Sequence, residues 1–144
     1  MLMPDVNVLV YAHRHDVPEH PAYEEWLRDL AESTEPFALS VLVAVGFVRI
    51  STNRRLYADP SPLSVALAFV EELTARPNCR LTAPGRDHLT EVARLCRAAD
   101  ASGSMVADAQ HAAIAIANGC TWVTADRDFA RFAPHGLRWE HLEL

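Results

Sequence analysis

Cys120-Thr121-Trp122-Val123-Thr124-Ala125-Asp126 reads as a short apolar strand that stops on a carboxylate. The other end of the chain repeats the pattern, with Leu2-Met3-Pro4 running into Asp5. Open parallel sheets bind ligands beyond the carboxyl ends of their strands, where loops and helix N-termini converge. Asp5 and Asp126 both fall there if these strands share a sheet. Between them, apolar runs of strand length alternate with longer segments of helical period, which predicts an α/β domain with a mostly parallel sheet.

Working outward, the first strand covers Leu2 to Asp5, and Val6 to Tyr11 either extends it or turns at once into a helix. Periodicity alone does not separate the two. Pro18 to Ser33 has helical spacing, with Tyr23, Trp26, Leu27 and Leu30 on one face. Pro36 to Ser40 is a second strand, and Ser40 caps a helix running through Arg49 that is apolar nearly all round and therefore expected to be buried. Asp59-Pro60-Ser61-Pro62 is a turn. Leu63 to Arg76 shows helical spacing at Leu63, Leu67, Val70 and Leu73; Cys79 to Thr82 is a short strand; Asp87 to Ala99 and Met105 to Asn118 are helices, the latter stopped by Gly119. Leu137 to Leu144 is a candidate edge strand.

The 144 residues form one expected domain, long enough to bury roughly two thirds of the surface of the unfolded chain. No apolar stretch reaches the ~18 residues that span a bilayer, and the first residues lack the basic and apolar regions of a secretory signal, so a soluble cytoplasmic protein is expected. Cys79, Cys96 and Cys120 form no Cys-x-x-Cys pair and lie in or beside apolar runs, which favours reduced, buried thiols over disulfides or a zinc site. Thirteen basic against nineteen acidic residues give a formal charge of −6, which opposes non-specific binding of a polyanion. Any nucleic-acid contact must therefore be local. Every basic residue is arginine, so chemistries that need lysine are excluded.

Asp5, Asp108, Asp126 and Asp128 all sit near strand–helix seams, Asp108 in the expected first turn of its helix, where the macrodipole favours an anion by ~0.3–1 kcal/mol. Each alone reads as a cap or turn residue. Together they repel unless a cation intervenes, and an all-carboxylate set selects a hard, oxygen-ligated, partly hydrated ion such as Mg²⁺ or Mn²⁺. Arg49-Ile50-Ser51-Thr52-Asn53-Arg54-Arg55-Leu56-Tyr57 is the one local cluster of basic, amide and aromatic groups. Its arginines suit phosphates and Tyr57 suits a base, although a solvated helix end explains the same composition. His13, His15 and His20 match no zinc spacing and read as surface histidines, and His111, one turn after Asp108, reads as a core or rim histidine with one ordinary hydrogen bond.

Three segments carry a resemblance. Pro4-Asp5-Val6-Asn7-Val8-Leu9-Val10-Tyr11, Asp108-Ala109-Gln110-His111-Ala112-Ala113-Ile114-Ala115 and Val123-Thr124-Ala125-Asp126-Arg127-Asp128-Phe129 resemble, in order, the acidic motifs of PIN-domain ribonucleases, and more narrowly those of the VapC toxins of bacterial toxin–antitoxin pairs. The resemblance spans essentially the whole chain. It implies a Rossmann-like three-layer α/β/α sandwich, Mg²⁺-dependent cleavage of RNA, tRNA or rRNA among the candidates, a homodimer and a VapB-like antitoxin. It also implies that Val6 to Arg14 is helical. Carried over by residue, Asp5 is the anchoring metal ligand with Asn7 behind it, Asp108 the acid on the late helix, Asp126 the acid completing the site, and Asp128 a ligand or support. Thr124 matches a supporting hydroxyl, and Arg49, Asn53 and Arg54 are the expected RNA contacts.

One position departs from the family pattern: Gly46 stands where a glutamate is usual on the helix after the second strand. One metal then suffices, Asp128 compensates, or activity is weak or lost. A catalytically inactive fold serving as an RNA-binding or antitoxin-binding module is the rival reading. Receiver and haloacid-dehalogenase-type phosphotransferase readings fail for want of a lysine, and Asp5-Val6-Asn7-Val8 lacks the Gly-x-Gly-x-x-Gly turn of a nucleotide-binding Rossmann domain.

Overall fold

A computed structural model describes residues 1–144. Five strands, β1 (Leu2–Pro4), β2 (Phe37–Ser40), β3 (Cys79–Thr82), β4 (Thr121–Thr124) and β5 (Arg138–His141), form one sheet in the order β3-β2-β1-β4-β5. Every neighbouring pair is parallel. The tail therefore supplies β5 as an edge strand, and the sheet is wholly rather than mostly parallel. The chain grows outward from β1 on one side and then returns to grow on the other, so the direction of winding switches between β1 and β4. Such a switch point leaves a crevice above the two strands.

Six helices flank the sheet: α1 (Val6–His13), α2 (His20–Glu32), α3 (Val41–Ser51), α4 (Leu63–Thr74), α5 (His88–Ala99) and α6 (Ser104–Ala117). α1 packs on α2 and α3, and α3 on α4, as one layer; α5, α6 and a 3₁₀ segment, Arg127–His135, pack together as the other. The ambiguous Val6 to Tyr11 run is helical, because Asp5 caps it. None of these helices is long and apolar enough to cross a membrane.

The core holds Trp122, Phe37, Phe47, Phe132, Met3, Leu9 and Leu39, all essentially inaccessible to solvent. Central strands are covered on both faces, which is why β2 reads as an unbroken apolar run.

Several expectations shift. α3 is not buried all round: Val43, Phe47 and Ser51 face inward while Val45 is 62% exposed. On α4, Ala66, Val70 and Leu73 are buried and Leu63 and Leu67 lie outside. Both helices are apolar on more than one face, so periodicity left the inward face open. α2 starts at His20 rather than Pro18, with a proline in its first turn. The 3₁₀ segment was not legible, since Pro134 breaks any helical reading of Arg127–His135. All three cysteines are free, but only Cys120 is buried.

Asn78 ties the lower end of the sheet. Its amide nitrogen donates to the carbonyl oxygens of Leu30, Ser33 and Glu35 at 3.1, 2.8 and 2.9 Å. Asn78→Ala should strand these acceptors and lower stability by about 1–3 kcal/mol. Urea unfolding checks this; an unchanged midpoint would contradict it.

Candidate metal centre

β1 and β4 run in register, Pro4 beside Val123, so the residues that follow both strands emerge at the same edge. The Asp5 N–H donates to the Val123 carbonyl at 2.8 Å and extends the ladder by one bond. Asp5 then caps α1: its backbone is extended (φ −77°, ψ 164°) and its Oδ1 accepts from the Val6 N–H at 2.6 Å. Its Oδ2 accepts from the Thr124 hydroxyl at 2.6 Å and from the Asn7 amide at 3.1 Å.

Thr124 is saturated. While its hydroxyl donates to Asp5, its oxygen accepts from the Asp126 N–H at 3.0 Å and from the Asn7 amide at 3.2 Å. Asn7 Oδ1 accepts from the Ala125 N–H at 3.2 Å. One hydroxyl and one amide thus bind the start of α1 to the loop carrying Asp126.

Asp108 comes from α6. That helix begins at Ser104, after Gly103 at φ +60°, so Asp108 lies in its second turn rather than its first. The macrodipole contribution expected from the sequence therefore falls away, since it fades beyond the first turn. Asp5, Asp108 and Asp126 line one cleft of about 650 Å³, together with Asn7, Arg49, Tyr57 and His111. Val6, Leu42, Val45 and Gly46 add an apolar share to its lining.

Asp128 does not line that cleft. Its side chain is 70% exposed and stands 3.8 Å from Arg131. Its charge is still felt, because it pushes the Asp108 carboxyl upward, after burial and Asp126, while Arg131 pulls the other way. Asp126 Oδ1 accepts from the Asp128 N–H at 2.9 Å and so caps the 3₁₀ segment.

Asp5 is 6% exposed. Burial raises its carboxyl to about 6; the bonds from Thr124 and Val6 oppose this, and the charges of Asp108 and Asp126 add to it. A carboxylate held by three donors and still pushed upward lacks a compensating positive charge. No three His, Cys, Asp or Glu side chains converge closely enough to enclose an ion by themselves. The mutual electrostatic influence of Asp5, Asp108 and Asp126 nevertheless shows that they share one field. Both observations fit an ion such as Mg²⁺, which keeps several waters and takes only one or two carboxylates directly, and neither fits zinc.

Of the expected RNA contacts, Arg49 reaches the cleft with Tyr57, and Asn53 and Arg54 do not. Asn53 Oδ1 instead accepts from the Arg55 N–H at 2.9 Å, and Arg54 is solvated at the turn. One face of Tyr57 is already covered, with the Arg14 guanidinium 3.6 Å from its ring centroid. Arg14, only 6% exposed, also donates to both Asp16 oxygens at 2.9 and 2.6 Å and to the Asp59 carbonyl at 3.0 Å. Nothing in its local pattern distinguished it from a solvated arginine.

Of the histidines, His15 is exposed as expected and the others differ. His20 is buried and bonds the Tyr11 carbonyl at 3.0 Å, and His13 contacts Ser61 at 2.9 Å and packs on Phe47 and Phe69. His111 lines the cleft, stacked on Trp122, and burial pushes its imidazole down to about 4.

Because the folded-state pKa of Asp5 lies above its unfolded value of 3.8, the folded protein holds an extra proton between those values. Its contribution to stability is then fully present below about pH 4 and is lost as pH rises through about 6, by on the order of 3 kcal/mol. Metal-free protein should therefore lose stability over this interval relative to Asp5→Asn. Parallel melting curves for the two proteins from pH 4 to 7 would contradict the assignment.

Residues 2–134 match the family profile of the PIN domain. The chain is 47% identical to ribonuclease VapC31 of Mycobacterium tuberculosis over 133 residues, covering 92% of this chain and 94% of that protein. It is 45% identical to ribonuclease VapC43 of the same species over 141 residues, covering 98% and 95%. Among solved structures, VapBC2 from Rickettsia felis bound to a promoter DNA fragment superposes with a TM-score of 0.70 at 19% identity, covering 99% of this chain and 98% of that one. The sarcin-ricin-loop-cleaving toxin VapC20 of Mycobacterium tuberculosis superposes with a TM-score of 0.68 at 16% identity, with full coverage of both chains. With the profile spanning nearly its whole length and relatives almost half identical across it, the chain belongs to the PIN-domain family, among the VapC ribonucleases.

Proposed function

We propose that this chain is a divalent-metal-dependent endoribonuclease, the toxin of a toxin–antitoxin pair, with Asp5, Asp108 and Asp126 as its metal-holding acids. The observation that carries the reading is the cleft itself: three carboxylates, following β1, on α6 and following β4, line one space, and the most buried of them is pushed upward by burial, with the charges of the other two adding to it. Asp5, Asp108 and Asp126 would hold the ion, and Asn7 and Thr124 hold Asp5 in place. Mg²⁺ or Mn²⁺ bound there supplies a lowered water pKa, polarisation of the scissile phosphate and charge for the transition state. The aspartates orient water and phosphate and do not attack. Water as nucleophile leaves 5′-phosphate and 3′-hydroxyl ends.

Arg49 and Tyr57 in the lining bring positive charge and an aromatic ring to an otherwise acidic cleft, which suits the backbone and a base of structured RNA such as tRNA or rRNA. The relatives' designation as ribonucleases, and solved neighbours that include an antitoxin complex, support the same reading. Exposed Val45, Leu63 and Leu67 on α3 and α4 offer apolar surface to a VapB-like antitoxin or a second copy of the chain. The rival reading, an inactive interaction module, draws on Gly46, which brings no fourth acid to the cleft.

Purified protein should cut tRNA or rRNA with Mg²⁺ or Mn²⁺, and Asp108→Asn should slow cleavage at least 100-fold while leaving the fold intact, a loss of the order seen when one group that stabilises transition-state charge is removed. Equal cutting in excess EDTA, or ends other than 5′-phosphate, would exclude this mechanism. Tight antitoxin binding without cleavage under either metal would establish the rival.

A further inference from the structure

His111 has one ring nitrogen walled in and the other open to the acids. α6 presents it three residues after Asp108, hence on the same helical face. Its ring lies parallel to Trp122, with centroids 5.2 Å apart and planes 17° apart, and Trp122 is itself fully buried against Phe129. That stack fixes the plane of the imidazole. Nδ1 is buried with no hydrogen-bond partner. Nε2 is bonded by no group of the protein and is not among the buried unpartnered atoms, so it opens on the cleft that His111 lines with Asp5, Asp108 and Asp126.

The tautomer follows. A proton on Nδ1 would bury an N–H with nowhere to donate, the rarest kind of orphan in proteins, whereas a proton on Nε2 points into the cleft. The other polar groups beside Asp5 are committed, the Thr124 hydroxyl to Asp5 and the Asn7 amide to Asp5 and Thr124.

We infer that His111 is a substrate-contacting residue whose Nε2–H donates to a phosphate oxygen of the RNA held beside Asp108. This rests on the nuclease reading for its substrate. A base edge is the other acceptor with suitable chemistry, but His111 stands one turn from Asp108 on the same face of α6, beside the acids that the nuclease reading sets against the phosphate. If the ring were only a filler for Trp122, phenylalanine would serve equally well.

His111→Phe separates the two, because it keeps the stack and removes the donor. It should bind Mn²⁺ and melt as the wild type does, yet cut bacterial rRNA about 10- to 100-fold more slowly, the range for a hydrogen bond to a charged group. His111→Gln, which restores an N–H, should recover part of that loss. Independently of turnover, ¹H–¹⁵N spectra of the wild type with Mg²⁺ should show the His111 Nε2 resonance moving with 5′-UMP and 5′-AMP alike and staying still with uridine. Undiminished cutting by His111→Phe overturns the inference, as does a response to uridine equal to that with UMP. A wild type that cuts no RNA while its Nε2 resonance still answers to UMP would refute the nuclease reading and leave this contact standing.

Discussion

The whole arrangement depends on a carboxylate kept where water cannot reach it easily. Asp5 is fixed by a backbone bond to Val123, by the first turn of α1 and by Thr124 and Asn7, so it has no freedom to swing out into solvent. Desolvation of that group disfavours its charge, and the nearby acids make the charge harder still to hold. A cation reverses both effects at once. The fold therefore carries a local electrostatic instability at Asp5, one that a hard dication would relieve under the proposed function.

Parallel pairing brings this about with little sequence. β1 and β4 contribute only three and four residues, yet their register alone sets Asp5 beside the loop of Asp126. Asp108 arrives by a different route, from a helix packed on the opposite layer through α5 and the 3₁₀ segment. Three chain segments far apart in sequence thus meet at the point where the winding of the sheet reverses. On the other side of the cleft, Arg14 links the end of α1 to the loop between α3 and α4 by stacking on Tyr57 and bonding Asp16 and Asp59. A buried guanidinium with three partners makes that rim rigid, which matters more to a binding edge than its small contribution to stability.

How much of this was legible in the sequence differs by element. The strands and the three cleft acids were: Asp5 and Asp126 follow apolar runs of strand length, and the ordered resemblance of three motifs joined Asp108 to them. The inward faces of α3 and α4 were not, since Val41 to Arg49 and Leu63 to Val70 are apolar on several sides and only tertiary contacts choose among them. Asp128 entered the site through the resemblance as a ligand or support, but its backbone N–H serves the Asp126 cap and its side chain is exposed beside Arg131. His20 and Arg14 were hidden for a related reason: a polar residue buried by a distant segment looks, locally, like any solvated one. His111 was placed on the right helix face, and its missing hydrogen bond could be found only in three dimensions.

Gly46 belongs to the same physical account. A Cβ there would approach the Val6 side chain to 3.3 Å, so α1 and α3 already meet closely at this point of the wall. A longer acidic side chain would have to displace Val6 and enter a surface otherwise formed by Leu42 and Val45. The cleft lining thus combines acids from the ends of β1 and β4 and from α6 with apolar residues and Arg49 from α3. Low polarity in the apolar share strengthens every charge interaction across the cleft. Fewer acids also mean less repulsion towards an incoming phosphate. Under the proposed function, three carboxylates would face the ion, and Gly46 leaves the α3 side of the cleft without a further acid to hold a second one.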